Sequence, residues 1–238
     1  MGTDKERNII NRDNRVSKEY YYRHLPHYQP RGYVYFITFR LKDSLPVHII
    51  NKLKEEWEAD IAKILADTPP NDVPAKKSYY QSHYFAKFDK LLENSLSGEM
   101  FLGDERIAEI VKDEIHALDG KNYELIAYSI MPNHVHMVFS IPIEDREGMD
   151  IQLKDIKSEK LAPVTAILKK LKGATSRKCN QILGRTGGFW QQESYDHVVR
   201  NGEQPGKVIR YVLNNPVKAK LCGEWTEWKY SYCKYFKM

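Results

Sequence analysis

An α+β sandwich, with helices packed on one sheet, is the fold class that this sequence predicts, and three observations predict it. Strand-like and helix-like segments alternate along the chain. Two strand-like segments, Tyr123–Ile130 and His134–Ile141, are separated only by Met131-Pro132-Asn133, and so form an antiparallel hairpin. No internal repeat and no second core interrupts the pattern, and 238 residues suit one large domain or one domain with appendages.

Taken in order, residues 1–19 are polar, with Lys5, Arg7, Arg12, Arg15 and Lys18 mixed among acids, and read as a flexible arm. The segment Tyr20–Tyr28 leads to Gly32 and then to Tyr33–Leu41, whose aromatic and β-branched run is the clearest strand and belongs centrally in the sheet. Ser44 and Pro46 open a helix through about Leu65, with Ile49, Ile50, Leu53, Trp57 and Ile61 at helical spacing. The Thr68–Pro74 patch breaks it, and a second helix from Tyr84 to about Ser95 gathers Phe85, Phe88, Leu91 and Leu92. Asp104 caps a third, which carries Ile107, Ile110, Val111 and Ile115. Gly120-Lys121-Asn122 turns the chain into the hairpin.

Beyond the hairpin, residues 144–160 read as a charged linker. Pro163 sits near the start of a helix whose apolar stripe runs through Val164, Ile167, Leu168 and Leu171. The Gly184–Gly188 loop lacks the Gly-Lys-Ser/Thr ending of a nucleotide-binding loop. Phe189–Val199 turns strand-like in its second half, and a last helix runs from about Gln204 to Asn215, where Pro216 stops it.

Composition narrows the function. The chain is 42% hydrophobic, enough for a proper core, and its net charge of +5 suits a polyanionic partner. Cys179, Cys222 and Cys233 form no CxxC pair, which argues against a cysteine zinc knuckle and for a reducing, cytoplasmic setting. No apolar run approaches the roughly 20 residues that span a bilayer, and nothing resembles a signal peptide, so no membrane role is expected.

The most informative residues are His134-Val135-His136. Side chains at i and i+2 of a strand share a face, so both imidazoles point one way and Val135 into the opposite layer. Two imidazoles side by side on a rigid strand are half of a divalent-metal site. On the last helix, Val208, Ile209, Val212 and Leu213 make an apolar face, with Tyr211 and Asn215 four residues apart on its flank.

Several segments, in this order, resemble the HUH-type single-tyrosine transposases, and more closely the branch associated with repetitive extragenic palindromes (REP elements). They are His24-Leu-Pro-His-Tyr-Gln29, Val34–Arg40, Met131-Pro-Asn-His-Val-His136, Trp190–Arg200, Tyr211-Val-Leu-Asn-Asn-Pro-Val217 and Trp225–Ser231. The resemblance covers roughly residues 20–232. It implies a ferredoxin-like or RRM-like antiparallel sheet with helices packed on it, and metal-dependent cleavage of single-stranded DNA through a covalent 5′-phosphotyrosine. His134 and His136 would be metal ligands, Asn215 a third ligand and Tyr211 the nucleophile, with Mg²⁺ or Mn²⁺ as the ion. Two features depart from the family pattern: Val135 is small for the apolar position between the histidines, and residues 43–119 and 144–160 are longer than a minimal member needs. The domain so defined spans 20–225, with a helical extension at about 43–119 and an aromatic, basic tail at 226–238.

Single-stranded or hairpin DNA is the expected partner, bound by Arg40, Lys169, Lys170, Arg177, Arg200 and Arg210, with Arg23, His24 and His27 ahead of the first strand. Trp190 and Tyr195 are candidate stacking rings. Glu193, Asp196 and His197 lie near the last strand, as surface groups or as a further ligand or proton acceptor. A mobile-element transposase acting as a dimer, and a catalytically silent hairpin-binding protein, are the alternatives. Monomer and homodimer both stay open.

Overall fold

The computed structural model describes residues 20–22, 26–28, 32–94, 98–142, 163–199 and 205–236. Strands β1 (Tyr20–Tyr22) and β2 (Pro26–Tyr28) pair with each other as a small hairpin. The main sheet holds β3 (Val34–Arg40), β4 (Glu124–Ile130), β5 (His134–Ser140), β6 (Tyr195–Val199) and β7 (Ser231–Cys233). Its order is β6-β3-β5-β4-β7, and every pairing is antiparallel.

Without the edge strand β7, the chain order reads fourth-first-third-second across the sheet, which is the ferredoxin-like arrangement. Helix α1 (Val47–Asp67), α2 (Val73–Asn94) and α3 (Glu105–Leu118) lie between β3 and β4. Helix α4 (Pro163–Ile182) lies between β5 and β6, and α5 (Pro205–Leu213) and the short α6 (Asn215–Lys218) follow β6. The α+β class is therefore the one expected.

The two faces of the sheet separate by the period of two. Tyr35, Ile37 and Phe39 pack with Val135, Met137 and Phe139 under α3 and α4, where Val111, Ile115, Ile167 and Leu171 complete the main core. Phe36 and Val138 face the other way, into a smaller cluster with Phe85 of α2, Tyr195 and Val212 of α5. The histidines lie on this second face, because His136 is paired with Thr38 and His134 with Arg40.

Several elements differ from expectation. Helix α2 begins at Val73, well before Tyr84. Pro74 falls in its first turn, where a missing N–H breaks no helical bond, and the residues before Tyr84 carry no apolar stripe that would reveal the helix. Pro216 does not end the helical path either. The chain breaks at Asn214 and resumes as α6 with the proline in its first turn, held by Asn214 N–H to Arg210 O and Lys218 N–H to Asn214 O, 2.9 Å each. The C-terminal segment, expected as a tail, supplies β7, and the Trp228 indole N–H donates to Ile130 O at 3.0 Å. The arm and the linker 144–160 lie outside the described residues.

Helices α1 and α2 pack on each other as an inserted hairpin, with the Trp57 and Tyr84 rings 5.3 Å apart. Its two feet touch just beyond β3. Gly98 has φ +91°, and a Cβ there would lie 2.5 Å from Asp43 O and 2.9 Å from Ser44 Cα. Only glycine allows that approach. Among the described residues no helix is long and apolar enough to cross a membrane.

Candidate metal centre and tyrosine

Strand β5 delivers His134 and His136 to one face, and both are buried, with His136 at 0% exposure. Their Nε2 atoms are 3.0 Å apart. The orientation of each ring is set from behind. Asn133 Nδ2 donates to Leu92 O at 3.2 Å, which turns its Oδ1 toward His134 Nδ1 at 2.6 Å. An amide oxygen can only accept, so His134 carries its proton on Nδ1 and presents a bare lone pair at Nε2. His136 Nδ1 shares a 2.7 Å hydrogen bond with Thr38 Oγ1. Complete burial, and then the neighbouring His136, push the His134 pKa down to about 3, so it is neutral at pH 7.

The third member of the cluster comes from the inserted hairpin. Asp89 of α2 is 1% exposed, and its Oδ1 lies 3.2 Å from His136 Nε2. The ligand atoms of Asp89, His134 and His136 all fall within 4.8 Å of one another. Burial opposes ionisation of Asp89, but His136, by its charge and its close approach, and after it His134 and Lys218 hold the carboxyl below its ordinary value. Helix α5 brings Tyr211 to the same point: its hydroxyl donates to Asp89 Oδ2. The Tyr211 ring meets His136 at 6.0 Å and Phe36 at 5.8 Å, edge to face in both cases. Lys218 Nζ stands 4.2 Å from the centre of the tyrosine ring, a cation–π contact.

Asn215 is fully buried, and its Nδ2 donates to Tyr211 O at 2.8 Å, which preserves the i, i+4 relation across the break between α5 and α6. Among the described residues its Oδ1 has no hydrogen-bond partner, and the Oδ1 of Asp89 has only the His136 Nε2 near it, at 3.2 Å and outside hydrogen-bond geometry. Buried acceptors without donors are costly. Two imidazoles and a carboxylate whose ligand atoms lie within 4.8 Å of one another are donor types that a divalent cation takes, so Asp89, His134 and His136 fit such an ion.

The DNA-binding candidates divide. Lys169 and Arg177 are exposed, and Lys170, also exposed, donates from Nζ to Asn122 Oδ1 at 3.2 Å. All three ride on α4, which covers the sheet face opposite the histidines. Arg210 is exposed on α5, the tyrosine helix. Arg40 is instead buried, donating to Ser44 Oγ at 3.1 Å, and burial lowers its pKa to about 10.

Trp190 is a core residue here: its indole N–H donates to Thr175 Oγ1 at 2.8 Å and its ring meets Phe39 at 4.9 Å. Tyr195 is buried and stacked 4.1 Å from Phe85. Neither ring has an open face for a base, because apolar packing against the sheet has claimed it. Asp196 pairs with Ile37 and so shares the α3–α4 face, away from the histidines, whereas His197, opposite Phe36, shares theirs. His27 lies on β2, and Arg23, His24 and Arg200 are outside the described residues.

Sequence reasoning missed Asp89 and Asn133. The signal for Asp89 was present: a carboxylate four residues after Phe85 and three before Leu92 sits in the apolar stripe of a helix, where a solvated acid does not belong.

A Haemophilus influenzae protein named "Putative REP-associated tyrosine transposase" is 24% identical over 109 residues, 46% of this chain and 58% of that protein. A second Haemophilus influenzae protein, uncharacterized, is 29% identical over 99 residues, 38% of this chain and 52% of its own length. The chain thus spans little more than half the length of these curated relatives. A solved structure of a REP-associated tyrosine transposase bound to a REP hairpin aligns with a TM-score of 0.46 and 14% identity, over 89% of this chain and 81% of that one. No family model matches the chain.

Proposed function

We propose that this chain nicks and rejoins single-stranded DNA that folds into short hairpins, through a covalent 5′-phosphotyrosine on Tyr211. The observation that carries this reading is convergence: the Tyr211 hydroxyl and the His136 Nε2 meet on the two oxygens of one buried carboxylate. A free phenol, with a pKa near 10, is a weak nucleophile at neutral pH and needs such a setting.

Tyr211 Oη forms a bond to phosphorus as the P–O3′ bond breaks. The phenol passes its proton to Asp89 Oδ2, which its hydroxyl already faces, the departing 3′ oxygen takes a proton from water, and the DNA 5′ end stays on the enzyme. Because the phosphotyrosine conserves the bond, a 3′-OH reverses the step without ATP. His134, His136 and Asn215 would hold a Mg²⁺ or Mn²⁺ ion, which when bound polarises the phosphate and offsets its developing charge. Asn133 and Thr38 fix the two rings for that task. Lys218, exposed beside the half-buried Tyr211, adds positive charge next to the nucleophile. Arg210 contacts the backbone near the nucleophile, and Lys169, Lys170 and Arg177 form a second phosphate surface on α4 for the rest of a hairpin.

A hairpin-binding protein without catalysis is the second reading, and the cover of α2 over the histidine face favours it. A denaturing gel separates the two. Labelled hairpin oligonucleotides from DNA flanking the gene, with Mn²⁺, should give a retarded covalent band that is absent in Tyr211→Phe and in His134→Ala. Tight binding with no such band on any hairpin selects the second reading.

A further inference from the structure

We infer that the inserted α1–α2 hairpin is part of the metal centre, because its Asp89 is a protein ligand to the ion. This rests on the metal-dependent reading above and extends it to a segment with no motif of its own.

Three observations converge on Asp89. First, its Oδ2 receives the Tyr211 hydroxyl, whereas its buried Oδ1 has among the described residues only the His136 Nε2 near it, at 3.2 Å and outside hydrogen-bond geometry. A buried carboxylate oxygen is stable only when a cation or a donor faces it. Second, what faces it is a pair of nitrogens, one of which presents a lone pair. His134 Nδ1 spends its proton on Asn133, so its Nε2 points bare at His136 Nε2, 3.0 Å away. Third, the spacings suit a single ion. Adjacent ligands on an octahedral cation with bonds near 2.1 Å are separated by about 3.0 Å. The His134–His136 and His136–Asp89 separations are 3.0 and 3.2 Å.

The hairpin is also held to the same point by a second tie. Asn133, which orients His134, donates its other amide group to Leu92 O, three residues after Asp89 on α2. At the base, Gly98 closes the insertion against Asp43 and Ser44, next to the end of β3 that pairs with His134. An ion bound by Asp89 and the histidines therefore fastens α2 to the sheet. Asp89 then has one oxygen for the ion and one for the tyrosine, and fixes the distance between them.

The test measures metal binding, independently of DNA cleavage. Mn²⁺ affinity is determined by titration calorimetry or by the loss of the free Mn²⁺ electron paramagnetic signal, for wild type, Asp89→Ala, Asp89→Asn, His134→Ala and Glu93→Gln. Glu93 is one turn beyond Asp89 and outside the ligand cluster. Asp89→Ala and Asp89→Asn should weaken Mn²⁺ at least tenfold, His134→Ala should do the same, and Glu93→Gln should stay within twofold of wild type. Hydrogen exchange on wild type gives a readout that needs no variant: Mn²⁺ should slow exchange in α2 around residues 85–92 as well as in β5.

If His134→Ala loses the ion but both Asp89 variants keep it within twofold, the metal centre stands and the hairpin's part in it falls. Increased covalent-adduct formation by those same variants would mark Asp89 as a latch on Tyr211 and would equally overturn the inference. Absence of Mn²⁺ binding in wild type would overturn the metal-dependent reading together with this one.

Discussion

Asn133 ties the histidine pair to the inserted helix, and its truncation to alanine has a cost that follows from the structure. The side chain is 5% exposed and makes two hydrogen bonds: its Nδ2 donates to Leu92 O, and its Oδ1 accepts from the His134 Nδ1–H. Leu92 lies two residues before the last described residue of α2, and its carbonyl loses the Asn133 amide donor. The His134 Nδ1–H loses its acceptor in a fully buried setting. Leaving a buried polar group unsatisfied costs about 1–3 kcal/mol, so with two such groups Asn133→Ala should destabilise the protein by about 2–6 kcal/mol. Urea unfolding of wild type and variant in chelator measures this directly. With the ring of His134 freed, Mn²⁺ affinity should also fall about 10-fold or more, as for other groups that orient a ligand. A loss below about 0.5 kcal/mol, the range of an ordinary surface substitution, with unchanged Mn²⁺ affinity, would refute the reasoning.

Three further outcomes are expected. His134 has a pKa near 6.5 in the unfolded chain and about 3 in the folded one, so the unfolded state binds the extra proton between those values. Stability in chelator should be level above pH 6.5 and fall as pH is lowered below it, by up to about 1.4 kcal/mol per unit from this group; urea midpoints from pH 7.5 to 5 should show a slope that His134→Gln reduces. Gly98→Ala should cost about 2–4 kcal/mol, since its Cβ would collide with Asp43 O at a positive φ, and an unchanged melting temperature would contradict the close approach. In hairpin binding titrated against salt, Arg210→Ala and Lys169→Ala should each reduce the log–log slope by about 1, with unaltered protein stability; an unchanged slope for Lys169→Ala would remove α4 from the DNA surface.

The main sheet was legible because its signals are local. The aromatic run Tyr33–Leu41 and the Pro132-Asn133 turn state strand and hairpin directly, and the period of two places His134 and His136 together. The i, i+4 spacing likewise carried Tyr211 and Asn215 to one side of a helix, despite Pro216. What stayed hidden depends on contacts between distant segments. Asp89 reaches the site only because a 22-residue helix folds back over the sheet, and half of that helix has no apolar stripe. Trp190 and Tyr195 look like stacking rings in sequence, but whether an aromatic side chain faces solvent or core is decided by what packs on it, here Phe39 and Phe85. β7 is three residues long, too short for periodicity to show, and is fixed by pairing with Tyr128 and its neighbours.

The central claim is a covalent bond between DNA and Tyr211. Wild-type protein would be incubated with a hairpin oligonucleotide and Mn²⁺, denatured and digested with nuclease and protease. Tandem mass spectrometry would then locate the nucleotide remnant. The account predicts a phosphonucleotide on the Tyr211 oxygen, in the peptide that carries Val212 to Asn215. A remnant on Tyr195 or any other residue, or none despite cleaved DNA, would contradict it.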